Sequence, residues 1–182
     1  ALIIGAAGND ITLSQAIASS LLPSGGAANT SFCIAGDLVL EPGDHYGFNN
    51  CDVRMLPGAS ISIAEGASLG IENNTALYSC ESLWQGILVR EGGALKVANS
   101  AFANAYCAIR AISRAGLNTQ PTNVQLVNNQ FYNNFVGFYV DRRPGGGLIQ
   151  LQMNQNRFST MEDLLPATNI DQIGALPNLG TY

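Results

Sequence analysis

Val124-Gln-Leu-Val-Asn-Asn-Gln-Phe131 and Leu151-Gln-Met-Asn-Gln-Asn-Arg-Phe158 share one pattern: apolar, polar, apolar, then an asparagine turn that closes on Phe. Three earlier segments carry the same pattern in altered form. They are Tyr46-Gly-Phe-Asn-Asn50, Leu69-Gly-Ile-Glu-Asn-Asn74 and Leu95-Lys-Val-Ala-Asn-Ser-Ala-Phe102, so successive units begin 23, 26, 29 and 27 residues apart. The likeness spreads outward from these cores. Leu38-Val-Leu-Glu-Pro-Gly43, Ile61-Ser-Ile-Ala-Glu-Gly66 and Ile87-Leu-Val-Arg-Glu-Gly92 each begin eight residues ahead of one of the first three, and Asn104-Ala-Tyr-Cys-Ala-Ile109 matches Asn133-Asn-Phe-Val-Gly-Phe138.

Every unit therefore holds two or three short stretches of period-two apolar alternation separated by turn residues, and none shows helical spacing. One such unit cannot bury its inner face. Stacked coil on coil, the units form an all-β, right-handed parallel β-helix of about five coils with one continuous core. Leucine-rich repeats have a similar period, and Val124-x-Leu126-x-x-Asn129-x-Phe131 fits their core. They want Leu three residues before it, where this chain has Gly66, Gly92 and Pro121, with Leu148 alone complying. The solenoid is the better reading.

Composition agrees with stacking. Only 12% of the 182 residues are charged, and 18 are Asn, in four cases paired as Asn-Asn. Equivalent residues of stacked coils lie roughly 4.8 Å apart. Like charges would repel at that distance, whereas Asn tolerates left-handed turns and its amide can bond the next one up. Asn74, Asn129 and Asn156 are expected to hold one common turn position.

Ile11-Thr-Leu-Ser-Gln-Ala-Ile-Ala-Ser-Ser-Leu-Leu22 departs from the alternation. Its apolar spacing predicts an amphipathic capping helix within 9–23, with Asn9 or Asp10 as N-cap, lying over the first coil. Coils are expected over 30–160 and an irregular exit segment over 161–182, as one domain. The first residue is not Met and the chain closes on Leu179-Gly-Thr-Tyr182, so it is expected to be a piece of something longer.

A net charge of −5 with scattered Arg argues against nucleic-acid binding. The apolar run Ala1–Ala7 is far short of the roughly 20 residues of a membrane span, so no membrane insertion is expected. Cysteines stand at 33, 51, 80 and 107, none in zinc-ligand spacing. In the repeat frame Cys80 and Cys107 fall at nearly one place on adjacent coils, and Cys33 and Cys51 flank the first coil. Two disulfides, Cys33–Cys51 and Cys80–Cys107, would imply an oxidising, extracytoplasmic setting; four buried free thiols are the other reading.

The repeat, with its Leu56-Pro-Gly-Ala and Ala64-Glu-Gly-Ala turns, Cys80-Glu-Ser-Leu-Trp84-Gln-Gly-Ile87 and Asn-Asn-x-Phe coils, resembles a known group. These are the pectin-lyase-like right-handed parallel β-helix domains of large secreted proteins of gliding and polysaccharide-degrading bacteria. The resemblance implies export, often through type IX secretion with a cleaved C-terminal sorting domain, and a secreted or cell-surface role. Partners would be polysaccharide, other surface proteins, or further domains of the parent chain. The fold itself serves lyases, hydrolases, adhesins and passive stalks alike.

Candidate chemistry is sparse. Glu65 and Glu91 occupy one repeat position on adjacent coils, with Arg90 beside the second; such a pair could share a proton or act as a retaining glycosidase pair. An ordinary solvated Glu-Gly turn explains them better. Asp37, Glu41 and Asp44 cluster in sequence with His45, and the three carboxylates are candidates for Ca²⁺, with His45 read as a surface residue. Trp84, the only Trp, could stack on a sugar or pack at a coil corner. Arg142 and Arg143 could grip a sugar acid. The eight Thr share no repeat position, so the flat Thr ladder of an ice-binding face is missing. The expected function is a non-catalytic extracellular module for adhesion, surface assembly or carbohydrate contact; the alternative is a polysaccharide lyase or glycoside hydrolase.

Overall fold

The computed structural model describes residues 2–113, 120–142, 144–160 and 162–167. The chain winds through three strands per turn. The first coil comprises β1 (Leu2–Ile4), β2 (Asp10–Thr12), α1 (Leu13–Ala18) and β3 (Ala27–Ala28). The second holds β4 (Ser31–Ile34), β5 (Asp37–Leu40) and β6 (His45–Asn49), and the third β7 (Asp52–Met55), β8 (Ser60–Ile63) and β9 (Ser68–Glu72). The fourth runs through β10 (Ala76–Tyr78), β11 (Gly86–Val89) and β12 (Ala94–Ala98), the fifth through β13 (Ala101–Ala103), β14 (Cys107–Ser113) and β15 (Thr122–Val127). The sixth is β16 (Gln130–Tyr132), β17 (Val136–Arg142) and β18 (Ile149–Asn154), after which β19 (Arg157–Ser159) begins another turn.

Strands three apart in sequence pair in parallel and generate three sheets along the solenoid. The quoted segments fall in register on the third sheet, as Tyr46↔Leu69, Leu69↔Leu95, Leu95↔Val124 and Val124↔Leu151. Leu38↔Ile61, Ile61↔Ile87 and Ile109↔Phe138 on the second sheet follow the same rule. Inward side chains thus stack like with like into apolar columns, such as Phe48, Ile71, Val97 and Leu126, and this axial stack is the core.

Six coils are present among the described residues, one more than the repeat shows, because the first lacks a quoted core and carries α1 between β2 and β3. The helix is shorter than expected. It starts two or three residues later than Asn9 or Asp10 would set it, because Asp10 pairs into β2 opposite Asp37 and Thr12 takes over as N-cap. Gln15 N–H donates to Thr12 Oγ1 (3.2 Å) and Thr12 N–H to Gln15 Oε1 (3.0 Å), a reciprocal capping box. Leu13 and Ala16 on its buried face cover the first coil.

The turns between the first-named cores and the next sheet explain the asparagines. Asn29, Asn50, Asn73, Asn74, Asn99 and Asn128 all have φ between 51° and 63°, a region Asn enters more readily than most residues. Asn50 donates to Asn29 Oδ1 and Asn128 to Asn99 Oδ1, each at 2.7 Å. The next residue of each turn faces inward and forms a second ladder: Cys51, Thr75, Ser100, Asn129 and Asn156. Thr75 Oγ1 accepts from Cys51 N–H, Asn129 Oδ1 from Ser100 N–H, and Asn156 Oδ1 from Asn129 N–H. Asn74 therefore aligns with Asn99 in the outer ladder, and Thr75, not Asn74, is the counterpart of Asn129.

Neither expected disulfide forms; all four cysteines are free thiols. Cys33 pairs with Arg54 across the first sheet, three residues along from Cys51. Three strand residues span about 10 Å, beyond the reach of a disulfide. Cys51 instead serves the inner ladder, its thiol donating to Ala27 O at 3.3 Å. The second pairing fails on register. Tyr78 pairs with Ala103 and Trp84 with Ala105, so Ser79 to Leu83 form an insertion opposite the single residue Asn104. Cys80 lies within it, exposed, while Cys107 sits beside Gln85 and is buried.

Candidate functional site

The outward positions of the third sheet are the second and fourth residues of each quoted core. One column reads Gly47, Gly70, Lys96, Gln125, Gln152, and the next reads Asn49, Glu72, Ala98, Val127, Asn154. A depression of about 500 Å³ lies across β9, β12, β15 and β18, bordered by Ser68, Gly70, Lys96, Asn123, Gln125 and Gln152. Its floor is low at Gly70 because that outward position has no side chain. Lys96 Nζ pairs with Glu72 Oε1 at 2.6 Å, and Gln125 Nε2 donates to Gln152 Oε1 at 3.0 Å. At the edge of the same sheet His45 Nδ1 lies 2.7 Å from Ser68 Oγ. The result is a shallow trough with one cation and a row of amides over an apolar floor, reaching to β18, the last strand of this sheet among the described residues.

A second depression of about 540 Å³, mostly polar in its lining, runs over the turns at Asn73, Asn99, Asn128 and Gln130. Two of its asparagines are already committed to each other along the axis, Asn128 donating to Asn99 Oδ1. The exterior asparagines therefore act first as turn residues.

The residues singled out from sequence do not converge on either depression. Ile63 pairs with Val89, so Glu65 and Glu91 do occupy one position on adjacent coils, in turns at the edge of the second sheet. Arg90 Nε donates to Ser62 Oγ at 2.8 Å. Asp37 begins β5 and accepts from Ser60 Oγ at 2.7 Å; burial, opposed by that hydrogen bond and reinforced by Asp10, pushes its carboxyl up from the ordinary 3.8. Asp44 closes the following turn by accepting Glu41 N–H at 2.7 Å. Asp37, Glu41 and Asp44 thus sit at opposite ends of a strand. Among the described residues no three His, Cys, Asp or Glu side chains come together as metal ligands would.

Trp84 is fully buried, its indole N–H donating to Ala103 O at 2.9 Å. It is a corner of the core and presents no face to a ligand, which corrects its candidacy for sugar stacking. Arg142 is exposed at the end of β17. Its neighbour Asp141 is bound instead to Arg110, at 2.7 Å, and Arg143 lies outside the described residues.

Residues 28–163 match the model of the right-handed beta helix region. The chain belongs to that family. No curated protein and no solved structure matches it. As a right-handed β-helix the chain winds with the hand expected from its repeat, and the trough lies along one flat sheet of the helix. Lys96, Gln125 and Gln152 pair no acid with a base, so they form no catalytic constellation in the sequence. Their signal stood in the quoted stretch itself: the polar residue after the first apolar one becomes a single exposed column once coils stack.

Proposed function

We propose that this β-helix is a non-catalytic module of an extracellular surface protein that contacts polysaccharide through the trough on its third sheet. One observation carries the reading: Lys96, Gln125 and Gln152 stand in a single column beside a glycine floor, presenting amides and a cation at coil spacing. Side-chain amides suit sugar hydroxyls, and a lysine suits a uronate carboxylate. Glu72, in the neighbouring outward column, is held by Lys96 in an ion pair, an arrangement that favours binding over proton transfer. Surface location and export rest on the resemblance to secreted β-helix domains, because the disulfides that argued for an oxidising compartment do not form.

A screen of neutral and uronate-containing oligosaccharides against the intact chain tests the reading. Binding weakened about tenfold or more by Gln125→Ala with Gln152→Ala, and by Lys96→Ala, at unchanged circular dichroism, is the expected result. Recovery of the glycan intact is expected as well. No binding overturns the carbohydrate reading; cleavage abolished by Glu72→Gln or by Glu91→Gln overturns the non-catalytic one.

A further inference from the structure

The outer face of the third sheet has a charge balance that narrows what the trough can hold. β6, β9, β12, β15 and β18 carry two charged residues between them, Glu72 and Lys96, and these are bound to each other at 2.6 Å. His45, at the rim, is engaged with Ser68 Oγ at 2.7 Å. The rest of the polar surface is amide. Asn123 and Gln150 stand in one outward column and Gln125 and Gln152 in the next. Gln125 Nε2 donates to Gln152 Oε1, which leaves Gln125 Oε1 as an acceptor and Gln152 Nε2 as a donor, both without a partner among the described residues.

These polar groups run along the solenoid axis rather than along the strands. On β12 Lys96 stands between Ala94 and Ala98, so a ligand lying along that strand meets one polar side chain. A ligand lying along the axis meets Gly70, Lys96, Gln125 and Gln152 in turn, at roughly 4.8 Å per step. An extended β-1,4-linked glycan advances about as far per sugar as the solenoid does per coil, so each sugar presents its hydroxyls to a fresh coil. Gly70 and Ala94 keep the floor low enough for the C–H face of a sugar ring.

We infer, on the carbohydrate reading of the trough, that it takes a neutral, extended glycan of the β-1,4-linked kind lying along the axis and discriminates against polyuronates. A polyuronate brings a carboxylate with every sugar, and against that series the face offers one cation, which Glu72 already compensates. To take a uronate, Lys96 must give up Glu72 or hold two carboxylates beside one ammonium, and like charges set together disfavour the wrong partner. The net charge of −5 opposes a polyanion at longer range as well. Neutral hydroxyls require no such exchange, since a hydroxyl can donate to Gln125 Oε1 and accept from Gln152 Nε2.

Titration calorimetry of the intact chain with two length series reads the outcome: neutral β-1,4-linked oligosaccharides of glucose, xylose or mannose, and oligogalacturonides, each of two to four sugars. The expected result is affinity that rises with each added neutral sugar, with tetragalacturonide bound about tenfold or more weakly than the best neutral tetraose. Glu72→Gln, which releases Lys96, is expected to raise tetragalacturonide binding several-fold. Tetragalacturonide bound as tightly as the neutral tetraoses, uronide binding unmoved by Glu72→Gln, or affinity already complete at the disaccharide overturns the inference and leaves the carbohydrate reading standing. Binding of neither series also overturns it, and the wider oligosaccharide screen then decides the carbohydrate reading separately.

Discussion

Asn129 is completely buried, and its side-chain amide joins three coils: it donates to Val97 O (3.0 Å) below and Asn156 Oδ1 (2.9 Å) above, while its oxygen accepts Ser100 N–H (3.0 Å). Asn129→Leu keeps the branching at Cγ and orphans two buried backbone groups, each costing about 1–3 kcal/mol. For a chain of this size a loss of about 2–4 kcal/mol lowers Tm by about 5–15 °C. Its neighbour Asn128, in the outer ladder at φ 54°, behaves differently. Asn128→Gly is expected to be nearly neutral and Asn128→Ala to cost about 1 kcal/mol, the penalty of a Cβ in left-handed backbone. Thermal melts of the three variants check the order.

The register of the five repeat cores was legible because each side chain stacks on its own equivalent; any slip would break every column at once. What the repeat could not show lies where the period is broken. β1 to β3 are two or three residues long and are interrupted by α1, so the first coil has no alternation to find. The insertion from Ser79 to Leu83 shifts the count before Cys80, and the pairing with Cys107 inferred from that count fails. Asn73-Asn74 adds a residue to one turn, which moves Thr75 into the inner ladder. The trough was legible in principle, since its column is printed in the second residue of each core. A column of Gly, Lys and Gln holds no converging acid and base, so residue chemistry alone does not mark it.

Trp84 reports on the core. Trp84→Ala removes a fully buried indole and its hydrogen bond to Ala103, at a cost of about 3–5 kcal/mol. Because the ring touches no trough, its fluorescence emission is expected to be blue-shifted in the native protein and unmoved by any oligosaccharide that binds. An emission shift on glycan addition would place the ligand at the Trp84 corner instead.

The thiols separate by burial. Cys80 is exposed, whereas burial pushes the Cys107 thiol up to about 12 and keeps it protonated. A thiol-reactive disulfide reagent is expected to modify one cysteine in the native protein and four after denaturation. Reductant should leave Tm unchanged. Mass spectrometry showing Cys33 linked to Cys51, or Cys80 to Cys107, in unreduced peptides would contradict this arrangement.

Asp37 gives a pH dependence of definite sign. Its carboxyl is raised, chiefly by burial with Asp10 adding to it, so the folded chain keeps that proton to higher pH than the unfolded chain does. Between the ordinary 3.8 and the raised folded value the native state binds more protons, and this group's contribution to stability falls as pH rises. Asp37→Asn removes the contribution and still accepts from Ser60 Oγ. The Tm of Asp37→Asn relative to the unaltered protein is therefore expected to be more favourable at neutral pH than in strong acid. A constant difference across the acid range would contradict the assignment.

Two glycines, Gly86 buried in the second sheet and Gly70 facing outward on the third, distinguish backbone approach from surface shape. Gly86 has φ 113°, and a Cβ there would stand 1.7 Å from Cys107 O and 2.7 Å from its carbonyl carbon. Neither strand can yield, because β11 and β14 are fixed by Ile87↔Ile109 and the pairs beyond it. Gly86→Ala is expected to yield no folded protein. Gly70 has ordinary φ, and its Cβ would meet nothing nearer than Tyr46 O at 3.9 Å, so Gly70→Leu should fold with little change in Tm. The new side chain would project into the trough beside Lys96 and fill the floor. If polysaccharide lies there, Gly70→Leu loses binding at full stability, and binding that survives the substitution places the glycan elsewhere on the solenoid.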